Sequence, residues 1–193
     1  ESAGTATFTV VLDSEPTADV TMGVSSSDVS EGTVNTASLV FTTGNWNTPQ
    51  AVTVTGVDDA VDDGNQAYSI VLAAATSSDS NYSGINPTDM VVSNTDNDTK
   101  GITVSAISGT TTEAAGTATF TVVLDSEPTA DVTMGVSSSD VGEGTVNTAS
   151  LVFTSGNWNT PQTVTVTGVD DAVDDGNQAY SIVLAAAPSS DSN

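Results

Sequence analysis

Residues 7–24, Thr-Phe-Thr-Val-Val-Leu-Asp-Ser-Glu-Pro-Thr-Ala-Asp-Val-Thr-Met-Gly-Val, recur without change as residues 119–136. Within them Phe8, Val10 and Leu12 alternate with Thr7, Thr9 and Val11. That period of two gives a half-buried β-strand one apolar face. Ser14-Glu15-Pro16 breaks the run with turn chemistry, and Val20-Thr21-Met22-Gly23-Val24 resumes the alternation. Strand, turn and strand, met twice at the same spacing, set an all-β fold built by duplication.

The duplication extends well beyond this stretch. Residues 1–81 match residues 113–193 at an offset of 112, with five differences: Ser2/Ala114, Ser30/Gly142, Thr43/Ser155, Ala51/Thr163 and Thr76/Pro188. Residues 82–112 occur once. Two near-identical copies suit a protein whose task is length, spacing or multiplicity better than one with a single active centre. The expected domains are residues 1–99 and 100–193. The chain opens inside a repeat, as a piece of a longer protein would. Copy one lacks the counterpart of 101–112, a first strand, and copy two lacks the counterpart of 82–100, with its last strand. Edges left open in this way invite pairing with other chains.

Further strands are expected at Ser38–Thr42, Val52–Thr55, Tyr68–Leu72, Met90–Ser93 and Gly101–Ile107. Glu31-Gly32, Gly44-Asn45, Asp63-Gly64-Asn65 and Asn86-Pro87 supply turns between them. No segment sustains a helical period. About seven short strands per repeat, with turns every 8–12 residues, predict two tandem antiparallel β-sandwiches. Trp46 and Trp158, each in a Gly-Asn-Trp-Asn-Thr-Pro turn, are expected to cap the sandwich cores.

The chain holds 25 acidic residues, one basic residue (Lys100) and no histidine, for a net charge of −24. This balance argues against nucleic acid, whose phosphates need clustered Lys and Arg, and against an anionic membrane surface. Cations are the expected partners. With no cysteine there is neither disulfide nor thiol chemistry, and no apolar run is long enough to insert in a bilayer.

Asp58, Asp59, Asp62 and Asp63 fall within six residues between two strands, and Asp170, Asp171, Asp174 and Asp175 repeat them. Two carboxylates 4 Å apart repel by roughly 4 kcal/mol at an effective dielectric of about 20. Such a loop either splays into water or shares a cation. Oxygen-only ligands select a hard ion, and a flexible set of six to eight suits Ca²⁺ better than Mg²⁺. The EF-hand spacing is absent. A second acidic run, Asn94-Thr95-Asp96-Asn97-Asp98-Thr99, lies where one repeat passes into the next, and calcium there would stiffen the linker.

Each repeat resembles the Calx-β module, a seven-stranded immunoglobulin-like sandwich that binds Ca²⁺ at one end. The resemblance rests on Glu-x-x-Gly-x-x-x-Phe-x-Val-x-Leu at Glu1–Leu12 and Glu113–Leu124. It rests also on Asp58-Asp59 with Asp62-Asp63 ahead of the aromatic strand Tyr68–Leu72, and on Asp96-Asn97-Asp98. It implies calcium ligands at Glu1 and Glu113, at both aspartate loops, at Asp96 and Asp98, and at a mid-domain aspartate, matched by Asp28 and its twin Asp140. Glu31 is a weaker match for that last role. Asp62 and Asp63 stand where the family usually has glutamates, and Asn97 interrupts the terminal run. Copies this alike also resemble the extender region of bacterial RTX-type surface adhesins.

The resemblance implies a structural extender outside the cell, rigidified by calcium, with neighbouring repeats as partners and a ligand-binding domain at its far end. A second reading takes the threonine rows Thr5, Thr7, Thr9 and Thr53, Thr55 as a flat face for ice or glycan. Threonine is equally a good β-former on a solvated face. Paired carboxylates can run glycoside hydrolysis, but no His, Cys or Arg accompanies these, and no enzyme is expected.

Overall fold

The computed structural model describes residues 4–191, and these contain strands and no helix. The chain divides into two compact units. Unit 1 is Glu1–Asp59 with Asp63–Asn97, and unit 2 is Ala60–Asp62 with Asp98–Asn193.

Unit 1 holds β1 (Thr5–Val10), β2 (Val20–Ser26), β3 (Gly32–Val34), β4 (Ser38–Phe41), β5 (Gln50–Gly56), β6 (Gln66–Leu72), β7 (Thr76–Ser77) and β8 (Met90–Asn94). One sheet has the order β1-β5-β3 and the other β4-β2-β6-β8, with β7 also on β2. Every pairing is antiparallel. The alternation read from sequence becomes the core: Val20, Met22 and Val24 of β2, Val52 and Val54 of β5, and Tyr68, Ile70 and Leu72 of β6 are buried. Burying one such side chain fully contributes about 1.5–3 kcal/mol. Trp46 packs half-buried on this core. Its turn is clasped by its own amide on Thr42 O at 3.1 Å and by Thr42 N on Asn45 Oδ1 at 2.6 Å.

Unit 2 holds β9 (Ile102–Val104), β10 (Thr117–Leu124), β11 (Val132–Ser138), β12 (Gly144–Val146), β13 (Ser150–Phe153), β14 (Gln162–Gly168) and β15 (Ile182–Leu184). Its sheets are β12-β14-β10-β9 and β13-β11-β15. The strand read at Gly101–Ile107 is regular only over Ile102–Val104. Beyond it, each serine pairs with β10 through both backbone and hydroxyl. Ser105 N donates to Thr121 O at 2.9 Å and Ser108 N to Thr119 O at 2.8 Å, while Thr121 N donates to Ser105 Oγ and Thr119 N to Ser108 Oγ, both at 2.9 Å. Pro188 stands where Thr76 opens β7, and proline has no N–H to give a ladder; β7 has no counterpart among the described residues of unit 2.

One sequence in two settings shows what an edge neighbour does. In β10, covered by β9 and residues 105–108, Ala118, Phe120 and Val122 are buried at 1%, 7% and 0% exposure. In β1 the same residues, Ala6, Phe8 and Val10, are exposed or half-buried. The reverse holds on the other sheet. Tyr68 and Ile70 are buried under β8, whereas Tyr180 and Ile182 are half-buried and the strand around them shrinks to three residues.

Candidate metal centre

The acidic site of unit 2 is assembled by two loops at one end of the sandwich. Glu143 immediately precedes β12, and its carbonyl accepts from Val169 N at 3.0 Å just past β14. The loop after β14 brings Asp171 and Asp175 to it, so that carboxylate oxygens of Glu143, Asp171 and Asp175 all lie within 4.8 Å of one another. Burial pushes the Glu143 carboxyl above its ordinary value, and the charges of Asp175, Asp140, Asp171 and Glu113 push it the same way. Three carboxylates thus converge on one another, and the charges of Asp140 and Glu113 also bear on Glu143.

The loops are held by local bonds. Asp171 Oδ1 accepts from Val173 N at 2.8 Å, and Gln178 Nε2 donates to Asp175 O at 2.8 Å. Asp140 Oδ1 accepts from Gly142 N at 2.9 Å, while its carbonyl accepts from Gly144 N at 3.1 Å. Gly144 is required there: a Cβ would stand 2.2 Å from the Tyr180 hydroxyl.

In unit 1 the counterpart Glu31 is buried, as is Asn94 at the end of β8. Asn94 Nδ2 donates to Glu31 Oε2 at 3.3 Å and to Val57 O at 2.7 Å. Burial and the Glu31 charge together raise the Tyr68 hydroxyl above its ordinary pKa. Asp96 ties the last strand to the aspartate loop, accepting from Gly64 N at 2.7 Å and donating its own amide to Asn65 Oδ1 at 3.0 Å. Asp63 Oδ1 is a buried oxygen with no hydrogen-bond donor.

The residues singled out by sequence are distributed as follows. Glu113, Asp140, Asp171 and Asp175 gather around Glu143, and Asp174 lines the same hollow as Glu113 and Glu143. Asp170 is exposed, as are Asp58 and Asp59 in the first copy. Asp62 falls in unit 2, where its Oδ2 accepts from Lys100 N at 2.8 Å; Asp98 also belongs there. Asp28 closes a tight turn, accepting from Ser30 N at 3.0 Å and from the Ser30 hydroxyl. Those bonds hold its carboxyl below the ordinary aspartate value. Glu1 lies outside the described residues.

Sequence reasoning gave the mid-domain place to Asp140 and underweighted Glu143. The signal was present in the glycine that follows it, since Gly144 lets the tyrosine of the next sheet press against that turn. It also passed over Asn94, the first residue of its acidic run, and Asp79. Asp79 is a buried carboxylate that accepts from Thr17 N at 2.8 Å and Asn81 N at 2.9 Å.

The donor set fits calcium. It is made of oxygens alone, three of them converge within 4.8 Å in unit 2, and unit 1 leaves a buried carboxylate oxygen without a donor. A search of curated proteins returns no match. The family model of the Calx-beta domain matches residues 1–98 and again residues 95–193. Domains of that family are non-catalytic β-sandwiches known for calcium binding, and both the sheets and the acidic cluster answer to that description. The chain therefore belongs to the Calx-beta domain family, as two tandem copies of its domain.

Proposed function

We propose that this chain is a length of structural extender from a large secreted adhesin of the bacterial cell surface, stiffened by calcium and holding a distal ligand-binding domain away from the cell. The carrying observation is the carboxylate cluster at Glu143, Asp171 and Asp175, whose residues recur as Glu31, Asp59 and Asp63 in a nearly identical neighbour. Repetition of a whole domain with its acidic loops suits a chain that gains reach by adding beads. Its partners are calcium ions and neighbouring repeats. A net charge of −24 disfavours nucleic acid, and no helix is long and apolar enough to cross a membrane.

Extracellular calcium modules bind at about 10⁻⁴–10⁻³ M, and a site filled at a hundredfold excess over Kd stabilises its fold by about 2.7 kcal/mol. Calcium also reduces the repulsion among the converging carboxylates that persists in chelator. The threonine-face reading has less support, because Thr119 and Thr121 are half-buried beside residues 105–108 in unit 2. Small-angle scattering and thermal melting in calcium and in chelator test the extender reading. It expects a higher Tm and a smaller spread of conformations in calcium. Identical curves in both buffers would overturn it.

A further inference from the structure

We propose that the outer edge of β4, and of its twin β13, is a self-association surface held shut by the chain's own side chains. Its occupant, once those caps are removed, is the same edge of a second copy laid antiparallel on it.

β4 ends its sheet, with β2 on one side only. Val24 N donates to Ala37 O at 2.9 Å, so residues 37, 39 and 41 turn their peptide groups toward β2. Residues 38, 40 and 42 turn theirs outward. Such a row is an open template for another chain, yet here it is occupied group by group. Thr36 Oγ1 donates to Ser38 O at 2.8 Å and accepts from Ser38 N at 3.4 Å. Val40 O accepts from Gln50 Nε2 at 2.7 Å and from Asn45 Nδ2 at 3.2 Å. Thr42 N donates to Asn45 Oδ1 at 2.6 Å, and Thr42 O accepts from Trp46 N at 3.1 Å. The Asn45 carboxamide gives an N–H to residue 40 and takes one from residue 42, as a residue of a parallel neighbouring strand does.

Unit 2 repeats the arrangement along β13, which also ends its sheet. Val152 O accepts from Gln162 Nε2 at 2.7 Å and from Asn157 Nδ2 at 3.2 Å. Thr154 N donates to Asn157 Oδ1 at 2.6 Å, and Thr154 O accepts from Trp158 N at 3.0 Å. Thr148 Oγ1 donates to Ser150 O at 2.7 Å and accepts from Ser150 N at 3.3 Å. No carboxylate takes part in either copy, so the caps stand apart from the calcium reading.

The register and the sequence both select a second copy as the occupant. An antiparallel pair centred on Val40 sets Val40 against Val40, and Ser38 against Thr42 of the second copy. Every outward N–H and C=O then has a partner, including Val40 N, which has no acceptor among the described residues. The two valines, each 41% exposed at positions 40 and 152, supply an apolar cross-strand contact. Residues 36–50 and 148–162 differ only at Thr43/Ser155, so any two copies carry matching edges. Linking near-identical domains in one chain raises the effective concentration of those edges, and misassembly between domains is the characteristic failure of repeat proteins. The caps keep each edge within its own domain.

The test compares the whole chain with its variant N45A/Q50A/N157A/Q162A by sedimentation and by amide exchange over a range of concentrations. The variant should self-associate at a concentration at least about tenfold lower than the parent. Exchange at the amides of Val40 and Val152 should slow as its concentration rises. Adding V40K/V152K sets like charges opposite each other across the pair and should return self-association to the parent's level. A folded variant that associates no more than the parent overturns the proposal. So does association that V40K/V152K leaves in place, which would assign it to another surface. If the four substitutions abolish the circular dichroism of the β fold, Q50A/Q162A leaves the Asn45 and Asn157 turns intact and carries the same test. It should show a smaller rise in association, and no rise would count against the caps.

Discussion

The side-chain amide of Asn94 reaches the Glu31 carboxylate at 3.3 Å while also capping the carbonyl of Val57 at 2.7 Å. One residue at the end of the last strand thus holds both walls of the acidic loop. Glu31 is buried, whereas Glu143, with no such asparagine beside it among the described residues, is half-buried.

Asn94→Ala removes both bonds and leaves a buried carboxylate and a carbonyl short of donors. It should destabilise unit 1 by about 1–3 kcal/mol, read as a lower midpoint of the first urea transition. An unchanged midpoint would show that Asn94 does not join the strand to the loop.

Gly32 leaves no room for a side chain, since a Cβ there would stand 2.0 Å from the Tyr68 hydroxyl. Gly32→Ala should cost about 1–3 kcal/mol through overpacking, and calcium affinity in unit 1 should weaken with it as Glu31 shifts. At Gly109 nothing lies within 4 Å of an added Cβ, so Gly109→Ala should stay within about 0.5 kcal/mol of the parent. Thermal melts of the pair compare a tight site with an open one.

Asp79 sets a pH dependence apart from the metal centre. The amides of Thr17 and Asn81 hold its carboxyl below the ordinary value of 3.8. A depressed pKa contributes stability that is present above the unfolded value and is lost as pH falls through the folded one. Asp79→Asn should therefore flatten the acid limb of stability below about pH 4. A mutant whose melting temperature falls with acid as steeply as the parent's would contradict the assignment.

Much of the fold was legible because period-two alternation and turn residues are local signals. Phe8–Leu12, Val52–Val54 and Tyr68–Leu72 face the way their spacing says. Partnership was not local. Nothing in Thr5–Val10 distinguishes it from Thr117–Val122, yet β9 buries one and leaves the other open. At the acidic site the aspartate loops were plain in sequence. The centring of the unit 2 cluster on Glu143 comes with the Tyr180 ring packed close against Gly144, a contact between distant residues that no local signal shows.

The same pair of strands yields a residue-level prediction. The amides of Thr119 and Thr121 each donate to a serine hydroxyl at 2.9 Å, whereas Thr7 and Thr9 sit in exposed β1. Amide exchange followed by NMR should be slower at Thr119 and Thr121 than at Thr7 and Thr9. Equal rates would show that residues 105–108 do not cover β10 in solution.

The central claim is that the converging carboxylates hold calcium, and calorimetric titration of the chain with Ca²⁺ tests it most directly. Binding at about 10⁻⁴–10⁻³ M is expected, with the stoichiometry falling in D171N/D175N while the circular dichroism of the β fold is retained. An absence of binding into the millimolar range, or an unchanged stoichiometry in the double variant, would contradict it.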